Sequence, residues 1–177
     1  MPRTFVIAFG NRDRADDGVA YHVIDAVRQH LGQGTLEDGN TGLDELGAQT
    51  DSVFLVQLVP ELIDTLVNYQ QVIFVDAHIR ENVPDLHCAP VLPEYAMSPF
   101  THHMTPAMLL ALLQAIHHHE PVGHLVSIRG WEFDFRRGLS KKAAALVQPA
   151  ADRILRLVAR LEESSDPVPS PGSGTLG

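Results

Sequence analysis

The chain has 177 residues, 45% of them hydrophobic, with a single cysteine and a formal net charge of −9. That length suits one domain with its own core, and the negative balance excludes a nucleic-acid or anionic-membrane binder, since both partners need a positive field. Cys88 alone excludes a disulfide framework and a cysteine-rich zinc site, so a reducing cytoplasm is the expected compartment.

Met1-Pro-Arg-Thr runs directly into an apolar stretch too short for a signal segment, and no stretch approaches the ~18–20 apolar residues of a membrane span. Thr4 to Phe9 is continuously apolar and rich in β-branched and aromatic residues, the pattern of a parallel strand buried on both faces. Gly10 lets the backbone leave that strand, and Asn11 follows. From Gly18 the apolar residues Val19, Val23, Ile24, Val27 and Leu31 recur at helical spacing, with Asp16 and Asp17 placed where a helix N-terminus favours carboxylates. Residues 32–52 are polar and glycine-rich without a period, which predicts a long connection of a kind that is often functional.

Residues 53–58 predict a second strand, and Pro60 opens a short helix reaching Val67. Residues 71–75 form a third buried strand that Asp76 terminates. Four prolines between Ala77 and Phe100 leave room only for a brief strand around residues 86–92. Pro106 then starts a helix with Leu109, Leu112, Leu113 and Ile116 on one face, ended by His117-His118-His119. A strand over residues 124–128, a loop holding the only tryptophan, and a long helix capped by Ser140 and interrupted by Pro149 complete the pattern. Pro, Ser and Gly dominate from Ser164 onward, which predicts a domain over residues 1–163 and a disordered tail over 164–177. The alternation of strands and helices predicts a three-layer α/β/α fold with a mostly parallel central sheet of about five strands.

In such sheets ligands gather outside the carboxyl ends of the strands, where Asn11 and Asp76 both fall. Asp17 admits two readings: a carboxylate at a helix start, worth about 0.3–1 kcal/mol, or a cation ligand in the crevice. Asp76 is costly to desolvate at the end of a buried run unless it caps, pairs or binds. His78 shares its face if the strand continues. His102 and His103 are either solvated loop residues or the imidazole of a metal set, because two carboxylates and one imidazole suit a borderline ion such as Zn²⁺ or Ni²⁺ with positions left open. His117 to His119 complement a helix C-terminus, and three adjacent residues cannot all face one ion. A His-Glu-x-x-His helix, a Gly-x-Ser-x-Gly elbow and a phosphate loop are all missing.

Gly10-Asn11 followed by Asp16-Asp17-Gly18, then Val72-Ile-Phe-Val-Asp76-Ala77, then Thr101-His102-His103-Met104-Thr105-Pro106, together resemble the maturation endopeptidases of nickel-iron (NiFe) hydrogenases. The likeness covers about residues 4–160. It implies a cytoplasmic hydrolase that removes a short C-terminal peptide from the NiFe hydrogenase large-subunit precursor after nickel insertion. It assigns the catalytic and metal-contacting roles to Asp17, Asp76 and His102, with Gly10, Asn11, Asp16, His78 and His103 in support or as alternatives. Nickel would arrive with the precursor, and Zn²⁺ or another divalent ion would take the site in its absence. Two departures stand out. Ala8 replaces the first glycine of the family's Gly-x-Gly-Asn start. Asp38-Gly39-Asn40-Thr41 looks like the family's Asp-Gly-Gly-Thr-like segment, yet counting back from Asp76 assigns that place to Gln57 through Leu62 and makes residues 38–41 a decoy.

Two other readings compete. A phosphoacceptor receiver-like domain also combines an acidic pair after strand one with an Asp ending strand three, but it needs a lysine at a later strand end, and Lys141 and Lys142 lie in the final helix. A scaffold of the same fold that binds without cleaving is the other.

Overall fold

Strand β1 (Thr4–Phe9) is apolar from Phe5 onward because both its faces are covered, and the Thr4 hydroxyl at its start donates to Gln71. Val6 and Ala8 pack into one core with helices α1 (Val19–His30) and α4 (Lys141–Ser165). Phe5 and Ile7 pack into a second core with α2 (Ile63–Leu66) and α3 (Pro106–His117). β3 (Gln71–His78) repeats the arrangement, with Ile73 and Val75 on the first side and Val72 and Phe74 on the second. The computed structural model describes residues 1–95 and 103–165. Its five-stranded sheet has the order β2 (Thr50–Leu55), β1, β3, β5 (Val122–Arg129), β4 (Leu86–Val91). The first four strands are parallel and β4 is antiparallel, which gives the three-layer α/β/α architecture expected. Pro90 sits in β4, an edge strand, where its missing N–H costs no pairing on the free side.

From β1 the chain crosses to β2 on one side and then to β3 on the other. The carboxyl ends of β1 and β3 therefore flank a topological switch point, the place where open α/β sheets form a crevice.

Several boundaries differ from expectation. β2 begins at Thr50 rather than Val53, since Thr50, Asp51 and Ser52 pair with Thr4, Phe5 and Val6. These polar strand residues are buried with their groups satisfied: the Asp51 carboxylate accepts from Arg3 at 2.7 Å, from the Tyr69 hydroxyl at 2.7 Å and from the N–H groups of Gly47 and Ala48. β3 runs two residues past Asp76, because β5 is long enough to pair Asp76 with Ser127 and His78 with Arg129. The segment after Pro60 is a 3₁₀ turn and one helical turn only. α3 starts at Pro106 as expected, with Thr105 accepting from the Met108 N–H at 3.2 Å. α4 continues through Pro149, which is exposed and has no N–H to give to the helix. Ser164 and Ser165 close α4, and the rest of the expected tail lies outside the described residues.

The long connection before β2 is tied down from inside. Buried Arg28 donates to the carbonyls of Gly34 and Ser52 and pairs with Glu45 at 2.6 Å, while the Tyr21 hydroxyl donates to the Leu36 carbonyl at 2.8 Å. Among the described residues no helix is long and apolar enough to cross a membrane.

Candidate active site

The turn after β1 folds back on itself. Gly10 has φ +150, and a Cβ built on it would stand 2.3 Å from the Asp17 carbonyl oxygen, so only glycine permits the acidic segment to lie against the strand end. The Asn11 N–H donates to Asp17 Oδ2 at 3.0 Å, and Asn11 Oδ1 accepts from the Asp13 N–H at 2.9 Å. Gly10→Ala is expected to cost about 2 kcal/mol or more through clash and strain, measured by urea unfolding.

Asp16 and Asp17 occupy a 3₁₀ turn over Ala15–Gly18, ahead of α1, and no side chain caps α1. Both stand in the first turn of the segment that leads into α1, as expected, and both carboxylates accept bonds from outside that turn. Asp16 is fully buried and accepts from the N–H groups of Trp131, Glu132 and Ser140 and from the Ser140 hydroxyl, at 2.7–3.0 Å. Burial alone would raise its pKa, but these donors outweigh that and hold the carboxyl below its ordinary value.

Asp17 lies in the turn after β1 and Asp76 near the end of the neighbouring strand β3. Asp76 Oδ1 accepts from the N–H of Ala77 at 2.8 Å. Among the described residues, no donor reaches Asp17 Oδ1 or Asp76 Oδ2, so each carboxylate keeps one oxygen free. Burial, with the Asp17 charge added to it, pushes the Asp76 carboxyl from an ordinary 3.8 up to about 7. Carboxylate oxygens are hard donors, and a borderline ion would need an imidazole beside them.

His78 lies two residues beyond Asp76 on β3, on the same face by strand period. Its Nδ1 accepts from the Arg80 N–H at 3.1 Å, its Nε2 is buried and has no hydrogen-bond partner among the described residues, and burial lowers its pKa. His103 is exposed just before Thr105. His102 lies outside the described residues. Among the described residues no three His, Cys, Asp or Glu side chains gather closely enough to hold a metal; Asp17 and Asp76 are brought together, and the imidazole assigned to the set falls on the segment beyond.

Beside the turn opens a cleft of about 320 Å³ lined by Asn11, Arg12, Asp38, Asn40, Phe54 and Arg137 among others. Asp38 bridges two arginines, at 2.8 Å from Arg12 and 2.9 Å from Arg137, and Arg137 also reaches Asp13 at 2.7 Å. The Arg137 hydrogen bond holds the Asp38 carboxyl below its usual range. Residues 38–41 therefore belong to the wall of the cleft, which corrects their reading as a decoy. Gln57 through Leu62 contribute no lining residue: Leu58 and Leu62 are buried in the second core, and Gln57 and Glu61 face solvent. Arg12 and Arg137 are the cleft residues that sequence reasoning missed, and Asp38 was seen but set aside. The only signal of the two arginines was charge inside loops, and Arg137 lies 99 residues from the Asp38 it meets.

A mostly parallel sheet covered on both faces, with two acidic side chains at its switch point and a charged cleft alongside, defines an α/β protein whose candidate site lies outside the carboxyl ends of the strands. No protein-family model and no curated protein sequence matches the chain. Solved structures do. The hydrogenase maturating endopeptidase HybD from E. coli is 20% identical, with a TM-score of 0.64 over 92% of this chain and 94% of that one. The NiFe hydrogenase maturation protease HybD from Thermococcus kodakarensis is 18% identical, with a TM-score of 0.56 over 88% and 99%. A hydrogenase 2 maturation peptidase from a Thaumarchaeota archaeon is 20% identical, also at 0.56, over 88% and 97%. The chain has the fold of the hydrogenase maturation endopeptidases.

Proposed function

We propose that the protein is an endopeptidase that removes the C-terminal peptide of a NiFe hydrogenase large-subunit precursor, recognising nickel in that precursor through Asp17, Asp76 and His102. One observation carries the reading: two carboxylates from separate elements lie near enough at the switch point for one charge to act on the other, each with one oxygen fixed by a backbone N–H and one that no donor reaches among the described residues. The shared fold supports the same class of activity.

Two adjacent carboxylates repel each other, and Asp76 gives up its proton only near neutral pH. A precursor that brings a divalent charge relieves both costs, whereas one without nickel relieves neither. The nickel is thus part of the substrate and acts as a checkpoint. The cleft beside Asn11, with its mixed apolar and charged walls, would hold the peptide strand of the precursor. Zn²⁺ or another divalent ion would bind the same free oxygens when no precursor is present.

Mixing the protein with a nickel-loaded precursor that carries its C-terminal extension, followed by intact mass of the precursor, tests the reading. Wild type is expected to release the peptide. Asp17→Ala, Asp76→Ala and His102→Ala should stay folded by circular dichroism and each slow release at least 100-fold, about 2.7 kcal/mol at the barrier. Normal release by all three variants would remove the assignment.

A further inference from the structure

We infer that Asp16 is a positioning residue: its buried carboxylate clamps residues 131–140 onto the Ala15–Asp17 turn and so fixes where the Asp17 carboxylate points. Both Asp16 oxygens are committed. Oδ1 accepts from the Ser140 N–H at 2.7 Å, and Oδ2 from the N–H groups of Trp131 and Glu132 and from the Ser140 hydroxyl. Asp16 cannot swing into the crevice without abandoning four donors, which separates its role from that of its neighbour. The backbone around it is bound to the same partner segment, since Ala15 N–H donates to the Arg136 carbonyl at 2.8 Å and Asp16 N–H to the Glu132 carbonyl at 2.9 Å.

The turn needs such a clamp. Ala15 is buried with φ +44, a left-handed conformation that a residue with a side chain adopts only where its surroundings impose it. Asp17 itself has little to hold it: its N–H reaches the Arg14 carbonyl at 3.0 Å, and its carboxylate accepts the single bond from the Asn11 N–H. Release of residues 131–140 would let Ala15 relax towards an ordinary conformation and carry Asp17 with it. Ser140 serves both sides, since its hydroxyl oxygen also accepts from the Ala143 N–H at the start of α4. The same segment brings Arg137 to the cleft, so the clamp sets a wall of the cleft as well as the acid pair.

The Asn11 amide is the direct reporter, because it bonds the Asp17 carboxylate and does not touch the clamp. Hydrogen exchange of that amide would be compared in wild type, Asp16→Asn, Ser140→Ala and Leu113→Ala, the last a destabilising control in the opposite core. The clamp predicts that Asp16→Asn and Ser140→Ala each lower Asn11 protection at least tenfold, while Leu113→Ala, at equal or greater loss of Tm, leaves it within twofold. Asn11 protection that simply tracks Tm across all the variants overturns the inference. Should Asp16→Asn not fold, Ser140→Ala decides alone against the same control. The consequence for peptide release rests on the function proposed above, and a tenfold slowing by Asp16→Asn is expected well below its Tm. The exchange measurement is independent of that function, so failure of either is seen separately.

Discussion

Asp76→Asn is expected to make the protein more stable at pH 8 and to leave it unable to release the precursor peptide. Asp76 has a folded pKa of about 7 against an ordinary 3.8. Below about pH 4 the carboxyl is protonated in both folded and unfolded chains, and burial costs nothing. As pH rises from there towards 7, the unfolded chain gives up the proton while the folded one retains it, so stability is lost steadily. Above the folded pKa both states are ionised and the penalty stays at its full value. A raised pKa of this size, at about 1.4 kcal/mol per unit, bounds that penalty near 4 kcal/mol, and the partial exposure of Asp76 brings the expected figure to about 1–3 kcal/mol. Asparagine carries no charge and escapes the loss. Urea unfolding of both proteins between pH 4 and 9 should show wild-type stability falling to a plateau near pH 7–8, with that component missing from the variant. Parallel curves would show that Asp76 is not ionised against a cost, and the site would lose its reason for needing a cation. A group retained at the expense of stability is what a binding site requires and a structural carboxylate does not.

The same carboxyl shows which parts of the chain were legible in sequence. The buried strands β1 and β3 were plain because central parallel strands are apolar on both faces, and the helix starts at Pro106 and Ser140 carried their own chemistry. β2 was misplaced because Thr50, Asp51 and Ser52 are buried polar residues, satisfied by Arg3, Tyr69, Gln33 and Arg28 from elsewhere in the chain, and such partners leave no local trace. The convergence of Asp17 with Asp76 followed from strand order: any Asp ending a central strand and any acid in the turn after its neighbour share the switch point. The division of labour within Asp16-Asp17 was only half visible. Sequence placed both at a helix start, whereas the donors that claim Asp16 stand 115 and more residues away. Residues 38–41 were discarded on a count of spacing, although the connection that carries them folds back over Tyr21 and Arg28 to reach the cleft. Spacing along the chain is a poor ruler where a loop is anchored by interior side chains.

Nickel in the precursor is expected to govern binding as well as cutting. On the function proposed above, loaded and nickel-free precursor would differ by a divalent charge facing two carboxylates, each with an oxygen that no donor reaches among the described residues. At an effective dielectric constant near 20 each close carboxylate–cation contact contributes a few kcal/mol before desolvation is subtracted, and a net advantage of about 3 kcal/mol corresponds to roughly 100-fold in Kd. Calorimetric titration of wild type should therefore give at least a 100-fold preference for the loaded precursor, and the preference should grow as pH rises through about 7, because the ion competes with the proton on Asp76. Asp17→Ala removes one of the two carboxylates and the repulsion between them. It should weaken loaded precursor while leaving nickel-free precursor unchanged or slightly tighter, compressing the preference to about tenfold or less. Equal affinity of wild type for the two precursors would detach recognition from the acid pair and leave the shared fold as the sole support for this substrate. A preference that survives Asp17→Ala intact would instead move the nickel contact onto Asp76 and the segment that carries His102.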